Sequence, residues 1–169
     1  PSGTDRIAEA ASQLDEATHV LNIQGDEPLL DPHLVDTLAK TLREDRNLPM
    51  ITAASPVADQ ILINDPNVVK VILSPGGDAL YFSRSPIPFR RDPVPELPTY
   101  RHLGIYGYRS DFLKRFVSLP PSPLEKAEGL EQLRALENGA RIHVLITEHQ
   151  APGLDSPDQV PLIESLLSN

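Results

Sequence analysis

A chain of 169 residues with 40% hydrophobic side chains is long enough for one domain with a sizeable core. Its formal charge of −9 argues against a general nucleic-acid surface, and no apolar run approaches the ~18 residues of a membrane span. The absence of cysteine excludes disulfides and thiolate metal sites and suits a cytoplasmic protein.

Ile7, Ala8, Ala11 and Leu14 recur at helical spacing, so residues 4–14 read as a helix. An apolar strand around Val20, Leu21 and Ile23 follows and ends in Gln24-Gly25-Asp26-Glu27-Pro28. Two carboxylates at a strand end could hold a metal or a ribose, or form a solvated turn. Asp31 and Pro32 then open a helix with Leu34, Val35, Leu38 and Leu42 on one face. A short strand is expected near residues 50–54, and "VVKVILSPGGDALYFSR" reads as a hairpin around Ser-Pro-Gly-Gly. The proline-rich segment 84–98 reads as a loop, "LGIYGYR" as a strand, and residues 111–117 as a short helix capped by Ser110. In "PPSPLEKAEGLEQLRALENG" a single helix is expected, with a Ser122/Glu125 capping box, Pro123 at its first position and Gly139 as its stop. "RIHVLIT" is the last strand. Ser156, Pro157 and Gln159 announce a final helix. Strands alternate with helices, which predicts a single α/β domain with a mainly parallel sheet and an added antiparallel hairpin.

Glu131 projects from the side of its helix that otherwise looks buried. Periodicity favours an ion pair with Arg134 at i+3; the other reading is a carboxylate and amide, Glu131 and Gln132, aimed into a cleft to bind hydroxyl groups. His102 and Tyr106 stand at i and i+4 of one strand and so share a face, as Tyr108 does. Arg84 ends a strand, where its guanidinium could grip a carboxylate or phosphate or simply be solvated. Arg90 and Arg91 read as solvated, and Asp155 as a turn residue before the last helix. Phosphate-loop, dinucleotide, His-rich metal and Ser-His-Asp patterns are all absent. The residues alone therefore lead to an α/β domain with carboxylates and a few donors at strand ends.

Six segments taken in order resemble the 3-deoxy-manno-octulosonate (KDO) cytidylyltransferase family: "SGTDRIAEA", "NIQGDEPLL", "NVVKVILSPGGDALYFSRSPIPF", "RHLGIYGYR", "PSPLEKAEGLEQLRALENG" and "PGLDSPDQV". The resemblance runs from Ser2 almost to the end. It implies a Rossmann-like fold of the nucleotide-diphospho-sugar transferase type and the reaction of CTP with KDO to give CMP-KDO and pyrophosphate, for lipopolysaccharide biosynthesis. By position it implies Asp26 and Asp155 as catalytic, Mg²⁺-binding carboxylates. Ser2, Gly3, Arg6 and Gln24 fall where the family holds the cytidine, and Arg84, His102, Tyr106, Glu131 and Gln132 where it holds the sugar. A homodimer is the family precedent. Ser156, Asp158 and Gln159 are milder variants of the family's usual residues, and Pro161 interrupts the last helix. The family also begins with a strand and an Arg/Lys phosphate loop that precede the match, so residues 1–169 are expected to form the carboxyl-terminal part of such a domain, with its first strands missing. On that reading the chain by itself turns over slowly and is aggregation-prone. The competing readings are a non-catalytic remnant or assembly module, and a variant acting on 8-amino-KDO.

Overall fold

The structure, a computed structural model, describes residues 3–14, 16–24, 30–92, 94 and 96–148. In chain order these form α1 (Gly3–Ser12), β1 (His19–Asn22), α2 (Pro32–Glu44), β2 (Met50–Val57), α3 (Gln60–Asn64) and β3 (Lys70–Leu73). There follow β4 (Ala79–Ser83), β5 (Thr99–Arg109), α4 (Ser110–Ser118), α5 (Pro123–Glu128), α6 (Gln132–Glu137) and β6 (Ile142–Ile146). The final helix expected from Ser156 to Gln159, with Pro161 in it, lies outside the described residues.

Local chemistry accounts for most of these boundaries. Asp31 caps α2 by accepting from His33 N at 2.9 Å, with Pro32 in the first turn. Leu34, Leu38 and Leu42 then form its buried stripe. Asp59 caps α3 in the same way, accepting from Ile61 N at 2.8 Å, although this short helix has no periodicity to announce it. The β3–β4 hairpin closes where expected, with Gly77 at φ 82 and Ser74 N donating to Asp78 O at 2.8 Å. Ser110 does not cap α4. It is the first helical residue, and its hydroxyl donates to Ala17 O at 2.6 Å, tying α4 to the chain ahead of β1.

The strands form one sheet in the order β4-β3-β5-β2-β6, with β1 also on β5. Among the described strands only the β2–β6 pairing is parallel. The expected mainly parallel sheet is thus a mixed one, because the long β5 runs against β1, β2 and β3 alike. The α/β class stands. Leu34, Leu38 and Leu42 of α2 pack with Ile51, Ala53, Leu103 and Ile105 on one face. The other face gathers Met50, Ala54, Phe82, Tyr108, Phe112, Phe116 and Leu133, with Ile7, Ala8 and Ala11 of α1 against them. Covered on both sides, β2 has six successive buried residues, the near-continuous apolar run of an interior strand.

Two irregularities shape the functional region. β2 takes one edge of β5 over most of its length, so β1 and β3 must share the other, β1 at Tyr106 to Arg109 and β3 at Tyr100 and Arg101. Residues 103–105 of β5 therefore stand at a fork between two departing strands. At the same level β5 carries a bulge: Thr52 faces Tyr106 and Ala53 faces Leu103, so Gly104 and Ile105 are extra.

Candidate functional site

A cavity of about 360 Å³ opens at the fork. Asn22 at the end of β1 and Gln24 beyond it wall one side, and His102, Gly104, Tyr106 and Tyr108 of β5 form its floor. Gly3 and Thr4 of α1, Glu131 and Gln132 at the start of α6, and the apolar Met50, Val69, Phe116 and Leu130 contribute the rest of the lining. Gln24 lies against Gly104, its amide Nε2 donating to Gly104 O at 3.4 Å.

The bulge preserves the side-chain alternation of β5 because it adds two residues rather than one. His102, Tyr106 and Tyr108 accordingly share one face, with ring centroids 5.2 Å and 5.9 Å apart in succession. Phe82 meets His102 edge-on at 5.1 Å and Phe116 stacks on Tyr108 at 6.4 Å, so a continuous aromatic row crosses the floor. Burial holds the His102 pKa down to about 3, and the ring is neutral at physiological pH. Burial, reinforced by Tyr108 and Glu131, drives the Tyr106 hydroxyl well above the ordinary tyrosine range, so it remains a hydrogen-bond donor.

Glu131 is not on a helix face. Gly129 adopts a left-handed conformation (φ 63, ψ 40) and breaks the expected single helix into α5 and α6, leaving Glu131 at the N-cap of α6. The expected Glu131–Arg134 ion pair does not form. Arg134 instead makes a buried bidentate pair with Glu125, its Nε donating to Oε2 at 2.7 Å, while Ser122 N donates to the same carboxylate at 2.9 Å. Glu131, released from Arg134, accepts a hydrogen bond from the Thr4 hydroxyl across the cavity rim. Gln132 is only 5% exposed, yet its side-chain amide has no hydrogen-bond partner among the described residues. An amide with no protein partner in a cavity wall is free to hydrogen-bond to whatever enters it.

Six expected site residues, Gly3, Gln24, His102, Tyr106, Glu131 and Gln132, thus line one cavity. Arg6 sits exposed on α1. Arg84 is not in the wall: its Nε donates to Glu128 O at 2.7 Å and its Nη1 to Pro66 O at 2.9 Å, beside the α5–α6 corner. Ser2, Asp26 and Asp155 lie outside the described residues. Among the described residues no cluster of three or more His, Asp or Glu side chains is placed to hold a metal. Sequence reading missed Asn22 and Thr52. Thr52 was detectable only as a lone hydroxyl in the apolar run "MITAASPV".

The mixed sheet opens a cavity at the fork between its strands, where polar side chains stand on a largely apolar lining. The sequence pattern of the cytidylyltransferase family matches residues 1–142, and the chain belongs to that family. Within it, the chain is 50% identical over 173 aligned positions to the 3-deoxy-manno-octulosonate cytidylyltransferase of Polynucleobacter necessarius subsp. necessarius (strain STIR1), covering 99% of this chain and 68% of that protein. It is 48% identical over 165 positions to the enzyme of the same name from Solibacter usitatus (strain Ellin6076), covering 98% of this chain and 65% of the relative. The chain thus spans about two thirds of these curated relatives' length. The solved structure of a CMP:2-keto-3-deoxy-manno-octonic acid synthetase complexed with CTP superposes with a TM-score of 0.92 at 39% identity, over 99% of this chain and 68% of that one. A glucose-1-phosphate thymidylyltransferase structure from Bacillus anthracis, holding sucrose, matches at a TM-score of 0.62 and 13% identity over 98% of this chain and 60% of that one, a likeness of fold alone.

Proposed function

We propose that the protein transfers CMP from CTP to 3-deoxy-D-manno-octulosonate, giving CMP-KDO and pyrophosphate for lipopolysaccharide synthesis. The observation that carries this reading is the cavity itself, where Glu131, a partnerless Gln132 amide and a neutral His102 converge within a family of cytidylyltransferases. A carboxylate, an amide and an uncharged imidazole are suited to a polyhydroxylated sugar.

In the reaction the sugar's anomeric hydroxyl attacks the α-phosphorus of CTP, its proton is lost to solvent or base, and the bond to the pyrophosphate oxygen breaks. Catalysis of that displacement rests on positioning and on neutralising charge. Glu131 and Gln132 would hold sugar hydroxyls, with Tyr106 donating from the floor. Gln24, with Ser2, Gly3 and Arg6, would meet the cytidine. Arg84 would approach the sugar carboxylate with the N–H groups not given to Glu128 O and Pro66 O. Glu131 is the one ionised side chain among the described residues of the cavity wall, so the wall itself adds no positive charge to balance a triphosphate. Asp26 and Asp155 offer the hard carboxylate oxygens that Mg²⁺ takes, and Mg²⁺ bound there would offset phosphate charge. The protein would act in the cytoplasm as a homodimer; no helix among the described residues is long and apolar enough to cross a membrane.

Incubation with CTP, KDO and Mg²⁺, with pyrophosphate as the readout, tests the proposal. Slow release that requires all three components is expected of residues 1–169 alone. Release indifferent to KDO, or none with all three present, overturns it.

A further inference from the structure

Thr52 is fully buried in the middle of β2, directly beneath the bulge of β5. Its hydroxyl oxygen has three polar neighbours: Ile105 O at 2.6 Å, Leu103 O at 3.3 Å and His102 Nε2 at 2.8 Å. A hydroxyl has a single proton to give. Both carbonyls can only accept, and an oxygen–oxygen approach of 2.6 Å to Ile105 O is repulsive without a proton between them. The Thr52 proton therefore goes to the bulge. The contact with His102 must then be supplied by the imidazole, with Nε2–H donating to the threonine oxygen. Nδ1 consequently carries no proton, and among the described residues it has no hydrogen-bond partner.

We propose that Thr52 is a positioning residue that fixes His102 as its Nε2–H tautomer, so that His102 offers Nδ1 to the cavity as an uncharged acceptor for a sugar hydroxyl. The bulge is part of the device. It turns the Ile105 carbonyl toward β2, and that carbonyl consumes the only proton Thr52 could otherwise donate to the ring. Burial keeps the imidazole neutral, with its pKa about 3, so the acceptor persists through the physiological range. An acceptor at this position favours a ligand hydroxyl over a carboxylate or phosphate oxygen, neither of which has a proton to give. The ligand half of the statement rests on the function proposed above; the tautomer half does not.

Nitrogen-15 labelling of histidine and long-range proton–nitrogen correlation between pH 6 and 8 read the tautomer directly in the protein without ligand. The expected His102 pattern has a protonated Nε2 and an unprotonated Nδ1, retained in Thr52→Ser, which keeps the hydroxyl. In Thr52→Val the ring should move to a mixture of tautomers or to Nδ1–H. An Nδ1–H pattern in the unaltered protein overturns the proposal, as does a Thr52→Val spectrum identical to it. Should Thr52→Val fail to fold, the unaltered protein and Thr52→Ser still decide the tautomer. In turnover assays Thr52→Val should raise KM for KDO about tenfold with KM for CTP unchanged, and Thr52→Ser should restore it. Equal losses for both substrates overturn the ligand half. The spectra decide the tautomer half whether or not the protein turns over KDO, so failure of the proposed function and failure of the tautomer are told apart.

Discussion

Replacing Glu125 by Gln tests what holds the cavity's far wall in place. The side chains of Arg134 and Glu125 are only 8% and 11% exposed, and Phe116 lies under the guanidinium with its centroid 5.0 Å away. Glu125→Gln keeps the shape of the side chain but removes its charge and turns an N–H group toward a guanidinium that can only donate. Breaking one member of a buried pair costs ~3–5 kcal/mol because the remaining charge is left uncompensated. Taking the lower end for an isosteric change, and ~2–4 °C per kcal/mol for a domain of this size, the melting temperature should fall by roughly 6–12 °C. Thermal unfolding followed by far-ultraviolet circular dichroism measures it. The double change Glu125→Leu with Arg134→Met removes both charges and should recover most of the loss. A fall of less than ~2 °C in Glu125→Gln, or a double variant no better than it, would refute the idea that this pair supports the α5–α6 corner.

Four further outcomes are expected. Stability should decline in two windows as pH falls. His102 stays neutral in the fold down to about 3 while the unfolded ring protonates near 6.5, so its contribution is progressively lost below 6.5. Burial raises the Glu125 pKa, but the Arg134 and Ser122 hydrogen bonds outweigh it and the net shift is downward, so its contribution is present above about 4.5 and lost below; urea titrations at pH 7, 5.5 and 4 should show successively lower midpoints. Gly107→Ala places a β-carbon 2.7 Å from both Ile51 Cγ2 and Leu21 Cδ2, and it should cost about 1–3 kcal/mol, read as a lower urea midpoint at unchanged slope. Glu131→Ala should weaken KDO binding about tenfold in calorimetry while CTP binding holds, and equal loss of both would remove Glu131 from the sugar. Asp26→Asn should lower turnover at least ~10²-fold, and near-normal rates at limiting Mg²⁺ would remove Asp26 from the metal role.

What the sequence discloses is what short-range chemistry decides. Asp31 and Pro32 start α2 and Gly77 turns the hairpin because the reason for each lies within four residues. The same holds for the shared face of His102 and Tyr106, although for a subtler reason, since the two extra residues of the bulge happen to keep the phase. Arg134 illustrates the opposite case. Glu131 and Glu137 both stand three residues from it, but a left-handed Gly129 turns the chain so that Glu125, nine residues away, becomes the partner. A glycine inside a helical pattern signals that possibility without deciding it. Long-range pairing is equally unreadable: nothing in "VVKVIL" shows that Lys70 ends fully buried with its ammonium donating to Asp65 O at 2.9 Å and to Arg84 O at 2.6 Å. The antiparallel company of β5 is likewise a property of the assembled sheet. Thr52 was hidden because its partners are two carbonyls and a ring some fifty positions later in the chain.

The doubled bulge of β5 also restricts how this strand can change length. Loss or gain of one residue between Leu103 and Tyr106 would put the two halves of the strand out of step. His102 would then swing to the side occupied by α2 and a leucine would take its place over the cavity. Only changes of two residues together leave every side chain on its own side. In descendants of this chain, insertions and deletions at that level should therefore survive in pairs, and the parity of the strand is inherited more strictly than its length.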